Sequence, residues 1–190
     1  MSNFYALINR MKYIKRWSLM RNNLDENLLE HSAQVAIVAH ALALIGNEKF
    51  NRNTNADLIA TIALFHDASE VITGDMPTPI KYNNPKINGA YKEMEALADA
   101  KLLSMLPDYL EKSYKKLFEV DNTSYEYKIV KSADKLSAYI KCLEELSSGN
   151  NEFSIAKVTI EKSLLENPLP EVKYFLENFL DGFNKPLDVL

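Results

Sequence analysis

The sequence predicts an all-α fold, and three observations support this prediction. Apolar residues recur at spacings of three and four along most of the chain, as they do on the buried face of a helix. No segment of useful length alternates apolar and polar residues as a half-buried strand does. Glycine is scarce, with five among 190 residues, and most glycines fall where a helical pattern stops. No repeat or linker interrupts the chain, so residues 1–190 are predicted to form a single domain.

The N-terminal part of the chain is predicted to contain three helices. The first covers about residues 4–14, where apolar side chains share one face. The second runs from about Glu30 to Gly46, and we expect the glycine to end it. After a polar loop, Asn55 or the threonine before it can cap a third, strongly apolar helix that ends before Gly74.

The remainder of the chain is predicted to be one loop followed by five helices. Residues 75–88 contain three prolines and three asparagines, which favour a loop. A fourth helix is expected at about 90–106, a short fifth ends near residue 120, and a long sixth covers about 124–147. Two more helices follow, separated by the prolines within 168–170.

Composition and charge exclude several classes of function. The net charge of −4 leaves no electrostatic footprint for a nucleic-acid polymer. The single cysteine, Cys142, excludes an intramolecular disulfide and suits a reducing compartment. No apolar run approaches the ~20 residues of a membrane span, and the N-terminus lacks the apolar block of a secretory signal. We therefore expect a cytoplasmic protein that binds neither membranes nor nucleic-acid polymers.

A histidine–aspartate pair, His66-Asp67, ends the apolar stretch of the third predicted helix. Two polar side chains are costly to bury in such a place without partners. An imidazole and a carboxylate side by side can serve as two ligands of one metal ion. Glu70 follows His66 by four residues, which is one helical turn on and on the same face. The sequence therefore predicts a metal site with a carboxylate beside it that either supports the ligands or takes part in catalysis.

The remaining ligands are expected from two other helices. His31 and His40 are nine residues apart, half a turn out of phase, so at most one of them faces the site. His31 lies nearer the start of its helix and is the better candidate. Asp134 lies on a helix face with few charges, where a carboxylate needs a partner or a cation. Two imidazoles and two carboxylates suit Mn, Co, Fe or Zn rather than calcium.

The order of these residues is more specific than the dipeptide, which arises often by chance. A histidine, then a His-Asp pair, then an aspartate on predicted helices resembles the HD-domain phosphohydrolase superfamily, whose motif is H…HD…D. Further segments resemble one branch of that superfamily, the bacterial 5′-deoxynucleotidases, over about residues 4–157. These segments are RWSLMR at 16–21, EHS at 30–32, HDASEV at 66–71, GDMPTP at 74–79, and KCLEEL with GNNEF within 141–153.

The resemblance implies an HD-domain helical bundle, expected as a homodimer, that hydrolyses deoxyribonucleoside 5′-monophosphates to a deoxynucleoside and phosphate. It implies that Glu70 is the catalytic carboxylate. One divalent ion, of Co, Mn, Zn or Fe, is implied to be held by the residues of the H…HD…D motif: His31, His66, Asp67 and Asp134. The resemblance also implies that the substrate contacts eight residues: Arg16, Trp17, Asp67, Asp75, Met76, Pro77, Thr78 and Asp134.

The chemistry of these residue types agrees with the implied roles. The guanidinium of Arg16 matches phosphate oxygens in a bidentate fork, although a solvated helix face would also explain the basic stretch around it. Trp17 alone would more often be a core residue, whereas beside Arg16 it is suited to contact a nucleoside. Two prolines stiffen the loop after Gly74, and such a loop positions polar groups well. Asp75 could accept a hydrogen bond from a sugar hydroxyl.

Two other functions remain compatible with the sequence. One is a different HD-type hydrolase, acting on nucleoside triphosphates or cyclic nucleotides, which should need more basic residues than Arg16. The other is a non-catalytic nucleotide-binding or scaffolding protein, against which the intact ligand set and Glu70 argue. One position departs from the family pattern, because Leu29 replaces a small hydroxyl residue, and Asn27 is a candidate replacement cap. Lys141 and Glu145 are expected to be solvated, with a subunit contact as an alternative for the glutamate.

Overall fold

The computed structural model describes residues 2–81 and 84–190, except for the side chain of Thr78. The described residues are mainly helical, and their one bridge between extended segments, Lys15 to Asn27, belongs to no strand. The α-helices are α1 (Phe4–Ile8), α2 (Leu28–Phe50), α3 (Ala56–Phe65), α4 (Glu70–Thr73), α5 (Thr78–Lys81), α6 (Pro85–Leu103), α7 (Asp108–Phe118), α8 (Tyr125–Ser147), α9 (Ser154–Leu165) and α10 (Pro170–Asn178). Short 3-10 helices are Asn9–Tyr13, Asn151–Phe153, Leu180–Asn184 and Leu187–Val189. The all-α prediction is confirmed.

The main core lies where α2 packs against α3, α8 and α10. Its fully buried apolar residues include Leu42 on α2, Ile59 on α3, Ile140 on α8 and Val172 on α10. A second, smaller apolar cluster joins Phe4 of α1 to α6 and to the turn after α3. The main core packs α2, α3 and α8 against one another, and these elements carry or adjoin the predicted metal ligands.

The first turn of α2 is closed by a capping box. The side-chain oxygen of Asn27 accepts hydrogen bonds from the backbone N–H groups of Leu29 and Glu30, both at 3.0 Å. The carboxylate of Glu30 in turn accepts from the backbone N–H of Asn27 at 3.1 Å. Two of the orphan donors at the helix start are therefore satisfied reciprocally. The prediction that Asn27 replaces the missing hydroxyl cap is confirmed.

The prediction that Gly46 ends α2 is wrong, because the helix continues to Phe50. The chain instead leaves the helix at Asn51, which adopts the left-handed conformation with φ of 52°. Gly46 has a packing role: a Cβ atom there would lie 2.5 Å from the hydroxyl oxygen of Tyr125 and 3.2 Å from Oε1 of Glu171. Close approach of α8 and α10 to α2 therefore requires the glycine.

Replacing Gly46 with alanine is expected to destabilise the fold. The added methyl group overlaps Tyr125, whose hydroxyl donates a 2.9 Å hydrogen bond to the buried carboxylate of Glu171. Overpacking of this kind typically costs about 1–3 kcal/mol of unfolding free energy. Thermal unfolding followed by circular dichroism measures the effect. Gly89→Ala on α6 is the matched control, since nothing lies within 4 Å of its added Cβ, and equal midpoints for the two variants would contradict the packing role.

Three further boundaries differ from the predictions. The first predicted helix is a short α-helix continued by a 3-10 helix that ends at Tyr13. The third helix ends at Phe65, and a turn separates it from α4. The fourth predicted helix begins at Pro85 rather than near residue 90, because Asn84 caps it and proline fits the first helical position. The loop predicted for 75–88 is therefore interrupted by α5 and by the start of α6.

Among the described residues, α2 alone is long and apolar enough, by length and composition, to cross a membrane. The statement that no apolar run approaches membrane length therefore needs correction for this helix. Half of its most apolar 18-residue window is buried inside the fold. Core helices of soluble proteins pass the same test, so the finding is weak evidence for a membrane span.

Candidate metal centre

Four predicted ligands from three helices converge at one point. His31 lies in the second turn of α2, His66 caps the C-terminal end of α3, Asp67 follows it, and Asp134 is in the middle of α8. The Nε2 atom of His31 is 3.2 Å from Oδ1 of Asp134 and 3.7 Å from Oδ2 of Asp67. The Nε2 atom of His66 is 3.0 Å from Oδ2 of Asp67 and 3.9 Å from Oδ1 of Asp134.

Hydrogen bonds on the opposite ring nitrogens orient both imidazoles. Nδ1 of His31 lies 3.1 Å from the hydroxyl of Ser137, which donates to the side-chain oxygen of Gln34 at 2.5 Å. Nδ1 of His66 lies 2.8 Å from the backbone carbonyl of Ala63, to which it can only donate. Both Nε2 atoms are buried and lack a hydrogen-bond partner among the described residues. Two imidazoles are thus arranged as metal ligands usually are, with Nδ1 anchored and Nε2 available.

The spacing of the four ligand atoms fits one small divalent ion. Ligands about 2.0–2.2 Å from a tetrahedral ion lie about 3.4 Å from one another, and the four distances given above range from 3.0 to 3.9 Å. Two nitrogen and two oxygen donors also match the preference of borderline transition metals. The residues present therefore fit the predicted metal, and the buried Nε2 atoms without partners are the observation that carries this conclusion.

The electrostatics of the cluster favour positive charge at its centre. Burial disfavours the imidazolium of His66, but Asp67 and Asp134 outweigh burial and raise the pKa of His66 to about 10. The same burial opposes ionisation of Asp67, yet His66 brings the pKa of that carboxyl below its usual range. The two nearby histidines, and then Lys131, also lower the pKa of Asp134, against the effect of burial. A cation of some kind is needed here, because two carboxylates are held together in a buried place.

Glu70 is buried next to this cluster, although it is not one continuous helical turn from His66 as predicted. The helix is broken at 66–69, and Glu70 opens the short helix α4. One carboxylate oxygen, Oε2, is buried without a hydrogen-bond partner among the described residues. Burial, and then the nearby charges of Asp67 and Asp75, raise the pKa of Glu70 to about 9. A carboxyl group in this setting can hold a proton at neutral pH and donate it.

Arg16 places a largely buried guanidinium at the edge of the cluster. Its Nη1 lies 3.7 Å from Oδ2 of Asp67, and its Nε lies 3.4 Å from Oε2 of Glu26 without forming a hydrogen bond. Burial opposes the charge of Arg16, but Asp134 and Asp67 outweigh it and raise the pKa further. A buried guanidinium with an unused donor is suited to bind an anion. The alternative of a solvated helix face is wrong for Arg16, which lies in a loop before α2.

Trp17 is also held in place at this edge. Its Nε1 donates a 3.0 Å hydrogen bond to Glu26, and its ring centroid lies 5.2 Å from that of Phe153. The backbone of Trp17 has φ of 55°, a left-handed conformation that is uncommon for a bulky residue. Such strain is maintained only where the surroundings fix it, and it is concentrated at functional sites.

The loop after Gly74 follows the short helix α4, which Glu70 opens. Gly74 has φ of 75°, and its carbonyl accepts a 3.1 Å hydrogen bond from the hydroxyl of Tyr91 on α6. Asp75, Met76 and Pro77 are partly exposed there. Burial raises the pKa of Asp75, Arg16 opposes the shift, and Asp67 adds to it, so Asp75 lies within electrostatic reach of the cluster. The predicted contribution of the Thr78 side chain lies outside the described part of the chain.

His40 does not take part in the cluster. It is exposed on the other side of α2, where its Nε2 lies 3.5 Å from a carboxylate oxygen of Asp57. The expectation that His31 and His40 face opposite sides is therefore confirmed. The half-turn phase difference between them determines which histidine can reach the site.

Sequence reasoning missed Glu26 and misjudged two residues of α8. Nothing in the sequence distinguishes Glu26 from a solvated charge. Lys141 and Glu145 were expected to be solvated, yet both are buried, and their side chains form an ion pair at 2.5 Å. Glu145 also accepts hydrogen bonds from the backbone N–H groups of Asn23 and Leu24, at 2.9 and 3.0 Å. Their partners come from a distant loop, which no local pattern could reveal.

Comparisons with known proteins agree on one family. A family model described as 5′-deoxynucleotidase YfbR-like matches residues 3–183. A 5′-deoxynucleotidase of Yersinia pestis is 55% identical over 189 residues, covering 99% of this chain and 96% of that protein. An HD-domain phosphohydrolase from Listeria innocua superposes with a TM-score of 0.83 at 24% identity, over 95% of this chain and 88% of that one. A cyanophage S-2L HD phosphohydrolase bound to dA and one catalytic Zn²⁺ has a TM-score of 0.64 at 16% identity, over 93% of this chain and 96% of that one.

Proposed function

The chain belongs to the YfbR-like 5′-deoxynucleotidase family and is a phosphomonoester hydrolase acting on deoxyribonucleoside 5′-monophosphates, and we propose that its reaction takes place at the cluster of His31, His66, Asp67 and Asp134. The two buried imidazole Nε2 atoms without partners, facing two carboxylates, are the observation that carries this assignment. The intact ligand set and the buried Glu70 support a catalytic protein over a scaffold. The family match supports a monophosphate substrate over a triphosphate or a cyclic nucleotide.

The cofactor is proposed to be one divalent transition metal, of Co, Mn, Zn or Fe. His31 and His66 would supply nitrogen ligands, and Asp67 and Asp134 would supply oxygen ligands. When bound, the metal lowers the pKa of a coordinated water and neutralises phosphate charge. The Zn²⁺ ion in the cyanophage protein of the same fold supports a metal of this class.

The substrate is proposed to lie between the two loops that border the cluster. Arg16 would bind phosphate oxygens with its unused guanidinium donors. Trp17 would contact the nucleoside, and Asp75 with Met76, Pro77 and Thr78 would contact the sugar and phosphate. The ligand dA in the cyanophage protein supports a deoxynucleoside in this fold. Asp67 and Asp134, at the centre of the site, would lie next to the phosphate.

Glu70 is proposed to handle the proton. A water attacks phosphorus, and the bond between phosphorus and the 5′-oxygen breaks. The leaving 5′-oxygen needs a proton, and a carboxylic acid with a pKa near 9 carries one at neutral pH. When Glu70 is deprotonated, the same carboxylate orients the attacking water. Its burial among Asp67, Asp75 and Arg16 determines which form prevails.

A phosphate-release assay tests the proposed function directly. Purified protein is incubated with deoxyribo- and ribonucleoside monophosphates, and separately with a triphosphate, in the presence of each candidate metal. The expected result is release of inorganic phosphate from the deoxy monophosphates and no pyrophosphate or tripolyphosphate from the triphosphate. Turnover of the triphosphate alone, or of no nucleotide with any metal, would contradict the proposal.

Replacing Asp75 with alanine is expected to weaken discrimination between deoxyribose and ribose. A carboxylate next to the 3′-hydroxyl accepts its hydrogen bond and crowds a 2′-hydroxyl, so its removal should raise the kcat/KM ratio of AMP to dAMP by about tenfold. Both substrates are measured at saturating metal. Asp188→Ala, an exposed carboxylate near the C-terminus, serves as the control, and an unchanged ratio for Asp75→Ala excludes this role.

The protein is further proposed to be a cytoplasmic homodimer. Its single cysteine, Cys142, is free and buried, as suits a reducing compartment. Apolar side chains are exposed on α6 and on the two short helices that contact it: Ile87, Met94 and Leu97 on α6, Ile72 on α4 and Ile80 on α5. Apolar residues on neighbouring elements are typical of subunit interfaces. Light scattering coupled to size-exclusion chromatography measures the assembly, and a monomer would contradict it.

A further inference from the structure

Glu26, which lies just before α2, faces three side chains of the proposed active site. Its Oε2 accepts a 3.0 Å hydrogen bond from Nε1 of Trp17 and lies 3.4 Å from Nε of Arg16. Its Oε1 lies 3.8 Å from Nδ1 of His31. The carboxylate is only 14% exposed. One buried negative charge therefore borders the proposed phosphate-binding, nucleoside-binding and metal-binding residues.

Backbone hydrogen bonds bring Arg16 and Glu26 together, and the carboxylate of Glu26 then constrains the guanidinium of Arg16 electrostatically. The N–H of Arg16 donates to the carbonyl of Glu26 at 3.0 Å, and the N–H of Leu28 donates to the carbonyl of Ile14 at 2.9 Å. The guanidinium of Arg16 lies close to two carboxylates, with Nε 3.4 Å from Glu26 and Nη1 3.7 Å from Asp67. Without Glu26, the attraction of Asp134 and Asp67 would dominate and would draw the guanidinium towards these two proposed metal ligands.

The left-handed backbone of Trp17 also requires a contact that holds its side chain in place. A bulky residue with positive φ is strained, and a hydrogen bond at the far end of its side chain helps to hold it. Glu26 supplies that bond, and Phe153 packs against the ring. One atom of Glu26, Oε2, therefore restrains both consecutive residues, Arg16 and Trp17.

The segment that presents Glu26 is itself anchored to the end of α8. Glu145 accepts from the backbone of Asn23 and Leu24, and the amide of Asn150 bonds both Glu145 and the carbonyl of Arg21, each at 2.7 Å. Lys141 donates to the carbonyl of Leu24 and to Glu145. These bonds do not involve the Glu26 side chain, so a variant at Glu26 should leave the segment folded.

We propose that Glu26 is a positioning residue for the reaction, whose carboxylate holds Arg16 and Trp17 in the orientation that receives the 5′-phosphate and the nucleoside. The inference rests on the substrate roles proposed for Arg16 and Trp17. Glu26 itself touches neither the substrate nor the reacting atoms.

The test uses the single tryptophan of the chain as a local probe. Glu26→Ala, Glu26→Gln and wild type are loaded with the same metal and compared for metal content, Trp17 fluorescence and the KM and kcat for dAMP. Glu26→Ala is expected to retain the metal, to shift Trp17 emission and increase its quenching by acrylamide, and to raise the KM by about tenfold. Glu26→Gln keeps an acceptor for Trp17 but loses the charge facing Arg16, so its fluorescence should resemble wild type while its KM lies between.

Two further variants make the outcomes distinguishable. Asp25→Asn removes the neighbouring carboxylate, which is exposed and pairs with Lys15 at 2.8 Å, and it should change neither fluorescence nor KM. Arg16→Ala tests the proposed phosphate contact by itself: an unchanged KM in that variant contradicts the role of Arg16 rather than that of Glu26. If Arg16→Ala raises the KM while Glu26→Ala keeps wild-type fluorescence and KM, positioning by Glu26 is overturned. Loss of metal from Glu26→Ala also overturns it, because the residue would then act on the metal site.

Discussion

Replacing Asp67 with alanine is expected to release the metal and to reduce kcat/KM for dAMP by at least about a thousandfold. Asp67 supplies the oxygen nearest to His66, at 3.0 Å, and also faces His31 and Arg16. Its loss removes an oxygen ligand and leaves two imidazoles opposite one carboxylate. Metal-ion catalysis contributes several kcal/mol of transition-state stabilisation, and each 1.36 kcal/mol is about tenfold in rate.

Elemental analysis and steady-state kinetics of the purified variant measure both effects. His66→Ala should behave in the same way, because its buried Nε2 has no other partner among the described residues. His40→Ala and Asp57→Ala are the matched controls: they remove the same residue types from an exposed pair on the outside of α2 and α3. Circular dichroism confirms folding of each variant. Full metal occupancy in Asp67→Ala would remove this residue from the ligand set.

Glu70→Gln is expected to keep the metal and to lose most of the turnover. The amide has nearly the shape of the carboxyl group but can neither give nor take a proton. Loss of a general acid or base typically reduces kcat by about 10²–10⁴-fold. The KM should change little, because Glu70 is assigned to the proton and not to binding. A variant that keeps the metal but loses kcat distinguishes Glu70 from the four ligands, whose variants should lose both.

The comparison is made at saturating metal and dAMP, with product phosphate followed continuously. Glu93→Gln on the exposed side of α6 serves as the control for the change in charge. A kcat within threefold of wild type would exclude Glu70 as the proton-handling residue. Loss of metal from the variant would instead place Glu70 among the groups that support the ligands.

Several features of the fold could be predicted because they depend on local sequence. The sixth predicted helix, 124–147, matches α8 (Tyr125–Ser147), since Ser124 caps it and its apolar residues keep a helical spacing. The phase difference between His31 and His40 follows from helix geometry and is confirmed. Gly46 shows the limit of such reasoning. Glycine disfavours a helix locally, but the need for α8 and α10 to approach α2 at that point outweighs local preference.

The candidate site likewise contains residues that local sequence could indicate and contacts that only packing creates. The sequence indicated the H…HD…D residues, Glu70 and the Arg16–Trp17 pair as candidates, since residue type and order are local information. It could not identify Glu26 as the neighbour of Arg16, or place Ser137 behind His31. These contacts join residues 10 and 106 positions apart, and only packing decides them.

The sequence by itself determined the helical class, the family and the chemical groups available to hold a metal and a nucleotide. Helical periodicity and the order of motif residues can be read directly from the sequence, without knowledge of how the helices pack. The tertiary structure alone decided which nitrogen of each histidine is available, how Trp17 is held in a left-handed turn, and why Lys141 and Glu145 are buried rather than solvated. Each of these depends on a partner brought close by the packing of α2, α3 and α8, because hydrogen bonds and ion pairs act over a few ångströms of space whatever the distance along the chain.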